Sequence, residues 1–296
     1  YFFQKNVTEV QTPLLIKNAI TDPNIDNIVV TDKAKSGFLH TSPEYLMKRL
    51  LASGYPDIFQ ICPVFRANES GKQHLSEFTM IEWYRLNFSL KEIIKDTINL
   101  LGCMFTKRSL KNPELFTYSE IFENIIGINP LDCSLQTLIS SIDKDNELVN
   151  KLDADRDTWL DFAMGTQISN KFHSDKLTII THYPASQASL ARLCPKNPSV
   201  SERFEVFLGS TEIANGFVEL TDPIEQKKRF IEDQKKRSKQ GKNIPSIDFE
   251  LLEALTIGLP NCAGVAVGLE RVLMLNENLK NINDVVTFSP SLSYEH

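Results

Sequence analysis

Two runs of residues have a pattern that is typical of a β-hairpin. An arginine follows the first run directly, and the second run contains a glutamate. Residues 58–65 and 77–86 are rich in aromatic and β-branched side chains, and a polar stretch separates them after Arg66. Strand alternation places four side chains of the second run on one face: Phe78, Met80, Glu82 and Tyr84. A buried carboxylate on this apolar face needs a partner, and a cationic substrate supplies one. The alternative is a hairpin with one solvent-facing carboxylate.

A second group of carboxylates lies further along the chain. Glu205 and Glu212 fall on neighbouring predicted strands, where they can converge on one hard cation, and magnesium prefers carboxylate and phosphate oxygens. Glu219 follows Glu212 by seven residues, an odd spacing that places the two on opposite faces of an ideal strand. A β-bulge at Gly216 would return them to one face.

A run of small residues leads into an arginine near the C-terminus. Residues 264–267, Gly-Val-Ala-Val, are predicted as a strand, and Gly268 opens a helix that carries Arg271. Small side chains at such a turn let a bulky ligand approach the backbone and place the arginine at the start of the helix. Tight packing of the strand against its neighbours is the alternative explanation.

Together these groups resemble the motifs of class II aminoacyl-tRNA synthetases. The hairpin resembles motif 2, through Phe65-Arg66 and Glu77-Phe78-Thr79-Met80-Ile81-Glu82. The other two motifs are matched by Gly268-Leu269-Glu270-Arg271, similar to motif 3, and Val10-Gln11-Thr12-Pro13, similar to the end of motif 1. Within the class the resemblance is closest to lysyl-tRNA synthetases, through Thr41-Ser42-Pro43-Glu44, Glu212-Ile213-Ala214-Asn215-Gly216-Phe217 and Glu219.

This resemblance implies a site for ATP and magnesium. The motif 2 arginine of the class contacts the α-phosphate and the substrate carboxylate, a role that falls on Arg66. The motif 3 arginine contacts the γ-phosphate, which falls on Arg271, and these two arginines are the implied catalytic residues. The implied magnesium ligands are Glu205 and Glu212. The rest of the implied ATP site consists of His74 at the γ-phosphate, Phe78 against adenine, Gly268 beside the nucleotide, Glu212 and Ile213, and Asn68 or Glu69 at the adenine amino group.

One position departs from the class II pattern. The family sequence is Phe-Arg-x-Glu, whereas this chain has Phe65-Arg66-Ala67-Asn68-Glu69 and keeps the eight-residue step from Arg66 to His74. Asn68 therefore stands where a glutamate normally meets the adenine amino group, and Glu69 follows one place late. Either the Asn68 carbonyl accepts the same hydrogen bond, or the loop shifts to present Glu69.

The lysine-specific resemblance implies an amino-acid pocket with acids at both ends. The implied substrate-binding set is Glu44 and Glu82 at the α-amine end, Tyr84, Asn215 and Glu219 at the ε-ammonium, and Ser42, Pro43 and Ala266. An aspartate-type substrate needs a cation for its side chain, whereas acids at both ends suit a diamine. The implied reaction is attack of the substrate carboxylate on the α-phosphate, which gives an aminoacyl-adenylate and pyrophosphate. Because that carboxylate is already ionised, positioning and charge stabilisation suffice.

Three features favour the elongation factor P lysyltransferases over ordinary lysyl-tRNA synthetases. Motif 1 begins at the start of the chain, so an anticodon-reading OB-fold is not expected before it. Residues 182–191, His-Tyr-Pro-Ala-Ser-Gln-Ala-Ser-Leu-Ala, are similar to the lysyltransferases, and so is Ala266, where the synthetases usually have glycine. The resemblance implies transfer of lysine, or preferably (R)-β-lysine, to a lysine ε-amine of elongation factor P, and not to tRNA.

Two alternatives stay open at the level of sequence. A truncated lysyl-tRNA synthetase catalytic domain would carry the same motifs and acylate tRNA, and the native N-terminus distinguishes it. A non-catalytic synthetase-like regulator is disfavoured because both arginines and all the acids are present. Asn68 keeps the regulator open, and ATP–pyrophosphate exchange distinguishes it.

The motifs need a sheet whose two halves are distant in sequence. Strands predicted in the first and last thirds flank a helical middle at about 118–170, so the expected fold class is α+β, with a mostly antiparallel sheet flanked by helices. Helices are predicted at 46–51 and 90–105, and a charged helix from about Pro223. We expect residues 1–296 to form a single class II synthetase-like catalytic domain without an anticodon-binding domain. Pro13, in the motif 1 segment, marks the expected homodimer interface.

The composition is that of a globular protein without a general attraction to polyanions. The net charge is −6, and residues 225–242 hold eight Lys/Arg against three acids. That segment is either a solvated helix face or a docking patch for an acidic partner. The five cysteines form no CxxC pair, which fits a reducing cytoplasm. No stretch approaches the ~18 apolar residues of a membrane span, so no membrane association is expected.

Overall fold

Two units make up the chain. In the computed structural model, which describes residues 1–32, 35–143 and 155–288, the first unit consists of Tyr1–Lys107 and the chain from Val218 onward. The second unit is Arg108–Phe217. The first unit is therefore built from the two ends of the sequence, and the second from its middle.

Four neighbouring strands carry the motif residues of the first unit. Their order is β1 (Thr8–Glu9), β5 (Ile58–Phe65), β6 (Glu77–Leu86) and β13 (Cys262–Gly268). The β1–β5 pair is parallel, and β5–β6 and β6–β13 are antiparallel. A smaller antiparallel sheet has the order β2 (Leu15–Ile16), β4 (Lys35–Leu39) and β3 (Ile28–Asp32). The sheet is thus mostly antiparallel, and β5 and β6 form the predicted hairpin.

The helices of the first unit are α1 (Glu44–Ala52), α2 (Leu90–Met104), α6 (Pro223–Lys239), α7 (Phe249–Gly258) and α8 (Leu269–Asn276). Polar side chains cap the start of α2, α6 and α7. Ser89 and Glu92 form a reciprocal capping box at the start of α2. Asp222 accepts hydrogen bonds from two backbone N–H groups of α6, and Pro223 occupies the first helical position, which suits its missing N–H.

The second unit joins a four-strand segment to short helices. The strand order is β12 (Thr211–Val218), β11 (Arg203–Leu208), β8 (Lys176–Thr181) and β7 (Lys111–Thr117), with only the β7–β8 pair parallel among these. The other elements are α3 (Tyr118–Ile125), α4 (Leu135–Ile142), α5 (Arg156–Ala163), and the antiparallel pair β9 (Leu193–Cys194) and β10 (Asn197–Ser201). The helices bury Phe122 and Trp159 in a core that also holds Ile180 of β8.

The predicted fold class is confirmed, and one local prediction is wrong. Both hairpin strands have the predicted bounds, and the middle of the chain contains the predicted short helices, although residues 144–154 lie outside the described part. The bulge does not fall at Gly216, which pairs with Phe204 in regular register. It falls where Val206 pairs with Ala214 and Phe207 pairs with Glu212, so Ile213 is the extra residue. A single domain over 1–296 stays a prediction. In the described chain, no helix combines the length and apolarity that crossing a membrane requires.

Candidate active site

Large side chains of β6 face small residues of β13. Tyr84 pairs with Gly264, Glu82 with Ala266, and Met80 with Gly268. Because alternate residues of a strand share a face, the predicted face of β6 lies against the smallest positions of its neighbour. A Cβ added to Gly264 would lie 2.5 Å from Tyr84 Cε1, whereas a Cβ on Gly268 would meet no heavy atom within 4 Å. Tight packing therefore explains Gly264, and Gly268 borders open space.

A buried lysine joins two of the predicted pocket acids. Lys48, one turn after Glu44 on α1, has a side chain only 2% exposed. Its Nζ lies 2.7 Å from Glu44 Oε1 and 2.6 Å from Glu219 Oε2. Glu219 is itself buried and sits directly beyond β12, where its backbone N–H donates to the Cys262 carbonyl. The helix and β13 thus bring two acids that are distant in sequence to one ammonium.

A third acid, Glu82, completes the cluster. The Tyr84 hydroxyl donates to Glu82 Oε1 at 2.5 Å, and both side chains are buried. Glu82 Oε2 is buried as well and accepts no hydrogen bond from the described residues. Such an unpaired acceptor is unfavourable in a protein interior, so this oxygen is a place for a ligand donor.

Burial governs the protonation of the cluster. It raises the pKa of Glu219 to about 8, against the opposing charge of Lys48. Burial, followed by the charge of Glu44, also raises the pKa of Glu82 well above its usual value. For Lys48, burial alone would lower the pKa, but Glu219 and Glu44 outweigh burial and raise it. Lys48 therefore stays a cation, while burial favours the protonated forms of Glu82 and Glu219, and a bound cation would favour their ionised forms.

Arg66 lies at the end of the hairpin strand β5, beside an aromatic ring. Its guanidinium carbon is 5.2 Å from the centroid of the Phe78 ring, a cation–π distance. Its Nη1 lies 3.6 Å from Glu69 Oε1, and its Nε is buried without a hydrogen-bond partner among the described residues. The structure therefore brings Arg66, Glu69 and Phe78 together at one end of the hairpin.

The loop between β5 and β6 explains the departure from the family pattern. Asn68 has a φ of 63°, in the left-handed region that asparagine tolerates better than glutamate. Its amide donates to Asp26 Oδ2 at 3.4 Å, and the Ser76 hydroxyl donates to the Glu69 carbonyl. Glu69, and not Asn68, is therefore the residue that this loop places beside Arg66.

Motif 3 is tied to the same loop. The Arg271 Nε donates to the Gln73 carbonyl at 3.1 Å, next to the exposed His74. Glu270 accepts the Thr79 N–H of β6 with both carboxylate oxygens at 2.9 Å. The start of α8 is thereby held against the hairpin. Ser42 and Pro43 lie just before α1, where the Pro43 carbonyl accepts N–H groups of its first turn.

Glu205 accepts hydrogen bonds from two side chains of the second unit. Its Oε1 accepts from Arg203 Nη2, and its Oε2 accepts from the Tyr183 hydroxyl, both at 2.6 Å. Arg203 also donates to Asn215 Oδ1 at 3.2 Å. Burial raises the pKa of Glu205 to about 7, and the charge of Glu212 on β12 adds to the rise while Arg203 opposes it. Ile213, at the bulge, is buried.

Two contributors were not selected from the sequence: Lys48 and Arg203. Each nevertheless has a local signal. Lys48 follows Glu44 by four residues on a predicted helix, a spacing typical of ion pairs. Arg203 precedes Glu205 by two residues on a predicted strand, which places both side chains on one face.

The sheet, the hairpin and the helix-start arginine define a class of protein. The model of the family described as tRNA synthetases class II (D, K and N) matches residues 1–291. The chain belongs to this class II synthetase family, as its motifs predict.

Its curated relatives narrow the resemblance to one group of the family. The chain is 40% identical over 295 residues to the elongation factor P–(R)-β-lysine ligase of Avibacterium paragallinarum, which covers 98% of this chain and 90% of the relative. It is 38% identical to the proteins of the same name from Pasteurella multocida and Buchnera aphidicola, over 97% and 98% of the chain and 90% and 91% of the relatives. The predicted resemblance to the elongation factor P lysyltransferases is confirmed.

Proposed function

We propose that this chain is an ATP-dependent ligase that activates lysine or (R)-β-lysine as an adenylate and transfers it to a lysine ε-amine of elongation factor P. The observation that carries the proposal is the cluster of Glu44, Glu82 and Glu219 around the Lys48 ammonium. The name shared by the relatives, elongation factor P–(R)-β-lysine ligase, supports elongation factor P as the acceptor and (R)-β-lysine as the amino acid that is transferred.

The pocket supports a substrate with ammonium groups at both ends. Glu82 Oε2 is buried without a hydrogen-bond partner in the described chain, and Glu219 is fully buried at the side of Gly264. A carboxylate side chain, as in aspartate, would add a like charge to three carboxyls and would be rejected. A neutral side chain would leave a buried carboxylate unpaired, at a cost of about 1–3 kcal/mol or more.

The first step is an in-line displacement at the α-phosphorus of ATP. A substrate carboxylate oxygen forms the new bond to phosphorus as the bond to the bridging oxygen of pyrophosphate breaks, and pyrophosphate leaves. Arg66 is proposed at the α-phosphate and Arg271 at the γ-phosphate, with His74 beside it. Phe78 is proposed under adenine, and Glu69 at its amino group. Two fixed guanidinium groups stabilise the developing charge and need no reorganisation during the step.

Magnesium is proposed at Glu205 and Glu212. Burial raises the pKa of Glu205 to about 7, Arg203 opposes the rise and the charge of Glu212 adds to it, so a further cation beside the two carboxylates would be favourable. Among the described residues no cluster of three or more metal-binding side chains occurs. Magnesium commonly uses one or two carboxylates together with phosphate oxygens, so these residues fit it. A bound ion would supply charge stabilisation to the phosphates.

The second step transfers the acyl group to an amine. The deprotonated ε-amine of the acceptor lysine attacks the adenylate carbonyl, an amide bond forms, and AMP leaves with the electron pair of the broken bond. The attacking nitrogen, which becomes positively charged as it forms the new bond, loses one proton to the AMP phosphate or to water. Ala266 lies opposite Glu82 and, relative to glycine, narrows the pocket where the α- or β-amine is proposed to sit. That position supports discrimination between α- and β-lysine.

The proposal is tested by exchange and transfer under one set of conditions. ATP–pyrophosphate exchange is measured with lysine, (R)-β-lysine and aspartate, and radiolabelled amino acid is then offered to elongation factor P and, in parallel, to lysine tRNA. We expect exchange with the two diamino acids and label in elongation factor P alone. Exchange driven best by aspartate would overturn the pocket assignment. Charged tRNA without labelled protein would overturn the acceptor, and a folded chain without any exchange would be a regulator.

We also propose that the protein acts in the cytoplasm as a homodimer. Pro13 of the motif 1 segment is exposed, and the neighbouring Leu14 and Leu15 are 37% and 56% exposed. Apolar side chains beside a sheet edge favour association with a second copy. Light scattering at micromolar concentration should give about twice the chain mass of 33.6 kDa, and a mass near 34 kDa would contradict the dimer.

A further inference from the structure

Lys48 is a buried cation to which the family motifs give no role. It is held by one oxygen of each of two carboxylates, Glu44 Oε1 at 2.7 Å and Glu219 Oε2 at 2.6 Å. A buried ammonium requires such pairing, because an unpaired charge in a protein interior is strongly unfavourable. The pairing also works in the other direction, since Lys48 fixes the positions of two acids that come from distant parts of the sequence.

The charges of this pocket do not balance. Glu44, Glu82 and Glu219 act on one another electrostatically, and Lys48 is the cation that the described residues bring to them. Three carboxylates and one ammonium leave two negative charges uncompensated when all the carboxyls are ionised. Glu82 Oε2 is buried without a hydrogen-bond partner in the described chain, so part of the uncompensated negative charge lies on this oxygen.

We propose that Lys48 is a positioning residue that orients Glu44 and Glu219 and sets the pocket two positive charges short of neutrality, so that it selects substrates with two ammonium groups. The inference rests on the proposed function, because it assumes that the amino acid binds at this cluster. A ligand with one ammonium leaves a buried carboxylate uncompensated. A third ammonium has no carboxylate left to meet.

The first test uses the unaltered chain and two small amines. 1,5-Diaminopentane and pentylamine have the same carbon chain and differ by one ammonium group. As competitive inhibitors of lysine-dependent pyrophosphate exchange, the diamine should bind about tenfold or more tightly than the monoamine, the usual scale for one buried charged pair. Equal inhibition by the two amines would overturn the charge count. This arm does not depend on any variant that has to fold.

The second test removes the resident cation and restores it in trans. Lys48→Ala should raise the lysine KM by about tenfold or more, because Glu44 and Glu219 lose their shared partner. Propylammonium is the fragment that the substitution deletes, so millimolar propylammonium should restore the KM, and n-propanol, its neutral counterpart, should not. Arg49→Ala is the matched control: Arg49 is the next residue of α1, is partly exposed and pairs with Glu250 at 2.8 Å. Its KM should not change.

Each outcome decides the inference. Rescue by propanol as effective as rescue by propylammonium would reduce Lys48 to a space-filling residue, and an unchanged KM in Lys48→Ala would remove its role altogether. If Lys48→Ala folds, propylammonium should also raise its melting temperature, while propanol should not. If Lys48→Ala does not fold, Lys48→Gln is measured instead, and its lysine KM should still rise by about tenfold or more. Absence of lysine-dependent exchange in the unaltered chain is a different result, because it overturns the proposed function itself.

Discussion

Arg66 and Arg271 are the residues on which the proposed chemistry depends most directly. Neither side chain is needed to fill a core: Arg66 is 22% exposed and lies over Phe78, and Arg271 reaches across to the Gln73 carbonyl. Replacing either by alanine should lower pyrophosphate exchange by about 10²–10³, the usual effect of losing one preorganised charge-stabilising donor. Circular dichroism and thermal melting should show an intact fold. Near-normal exchange in either folded variant would remove that arginine from the active site.

The raised pKa of Glu219 predicts that lysine binding depends on pH. Burial raises the pKa of Glu219 to about 8 from 4.5, so the folded chain holds this proton across a window in which the unfolded chain has lost it. The stability contributed by this group is therefore present at low pH and is lost as the pH rises through 8. An ammonium ligand needs the ionised carboxylate, so lysine affinity should rise between pH 6 and 8, by at most about tenfold per pH unit.

Calorimetry without ATP measures this effect. In two buffers of different ionisation enthalpy, lysine binding should release a proton at pH 7, and the release should be smaller in Glu219→Gln. A lysine affinity that stays flat from pH 6 to 8 would show that Glu219 does not change protonation on binding.

At the scale of elements, β13 uses its small residues for two different purposes. A methyl on Gly264 would lie 2.5 Å from the Tyr84 ring and 2.6 Å from Glu219 Oε1, while a methyl on Gly268 would meet nothing within 4 Å. Gly264→Ala should therefore destabilise the fold by about 1–3 kcal/mol and weaken lysine binding, because backbone or ring has to move. Gly268→Ala should leave stability within about 0.5 kcal/mol.

The two glycine variants should differ in their effects on stability and on ATP binding. Gly268→Ala should raise the KM for ATP, since its methyl enters the space proposed for the nucleotide. Chemical denaturation and steady-state kinetics on both proteins test the pair together. A destabilised Gly268→Ala, or a Gly264→Ala that is as stable as the parent, would reverse the assignment of tight packing and open space.

The elements of this chain were easier to predict than the contacts between them. β5 and β6 were found with the right bounds because their aromatic and β-branched runs end at a polar loop. The bulge at Ile213 was misplaced to Gly216, since strand register depends on the partner β11 and not on which residue is a glycine. Lys48 is hard to select from the sequence, because its i,i+4 pairing with Glu44 is a common feature of helices and its pairing with Glu219 joins residues far apart in sequence.

At the scale of the whole molecule, some basic side chains of the segment 225–242 bond to the protein itself, and others are exposed to solvent. Arg237 is buried, and its guanidinium donates to the carbonyls of Asn243, Asp22 and Ile25. Lys242 also donates inward, to the Pro23 carbonyl. Part of the segment is therefore structural, and the charge that remains for a partner is smaller than the sequence indicates.

Three exposed lysines that share one face of α6 are the remaining candidates for docking an acidic acceptor protein. Lys228, Lys235 and Lys239 are exposed, and their spacing of seven and four residues places them on one helix face. Because the chain carries a net charge of −6, such a local basic face would steer an acidic partner that the rest of the surface repels. Replacing the three lysines by glutamate should lower kcat/KM for transfer to elongation factor P by about tenfold at low salt.

This last prediction is specific because adenylate formation should not change. Pyrophosphate exchange with lysine should be normal in the triple variant, since no residue of α6 is proposed to contact ATP or the amino acid. The transfer defect should shrink as salt is added, because the Debye length falls to about 10 Å at 0.1 M. Lys91→Glu with Lys95→Glu and Lys171→Glu, three exposed lysines outside α6, is the matched charge reversal and should transfer normally. An equal defect in both variants would mean that net charge, and not the α6 face, guides the acceptor.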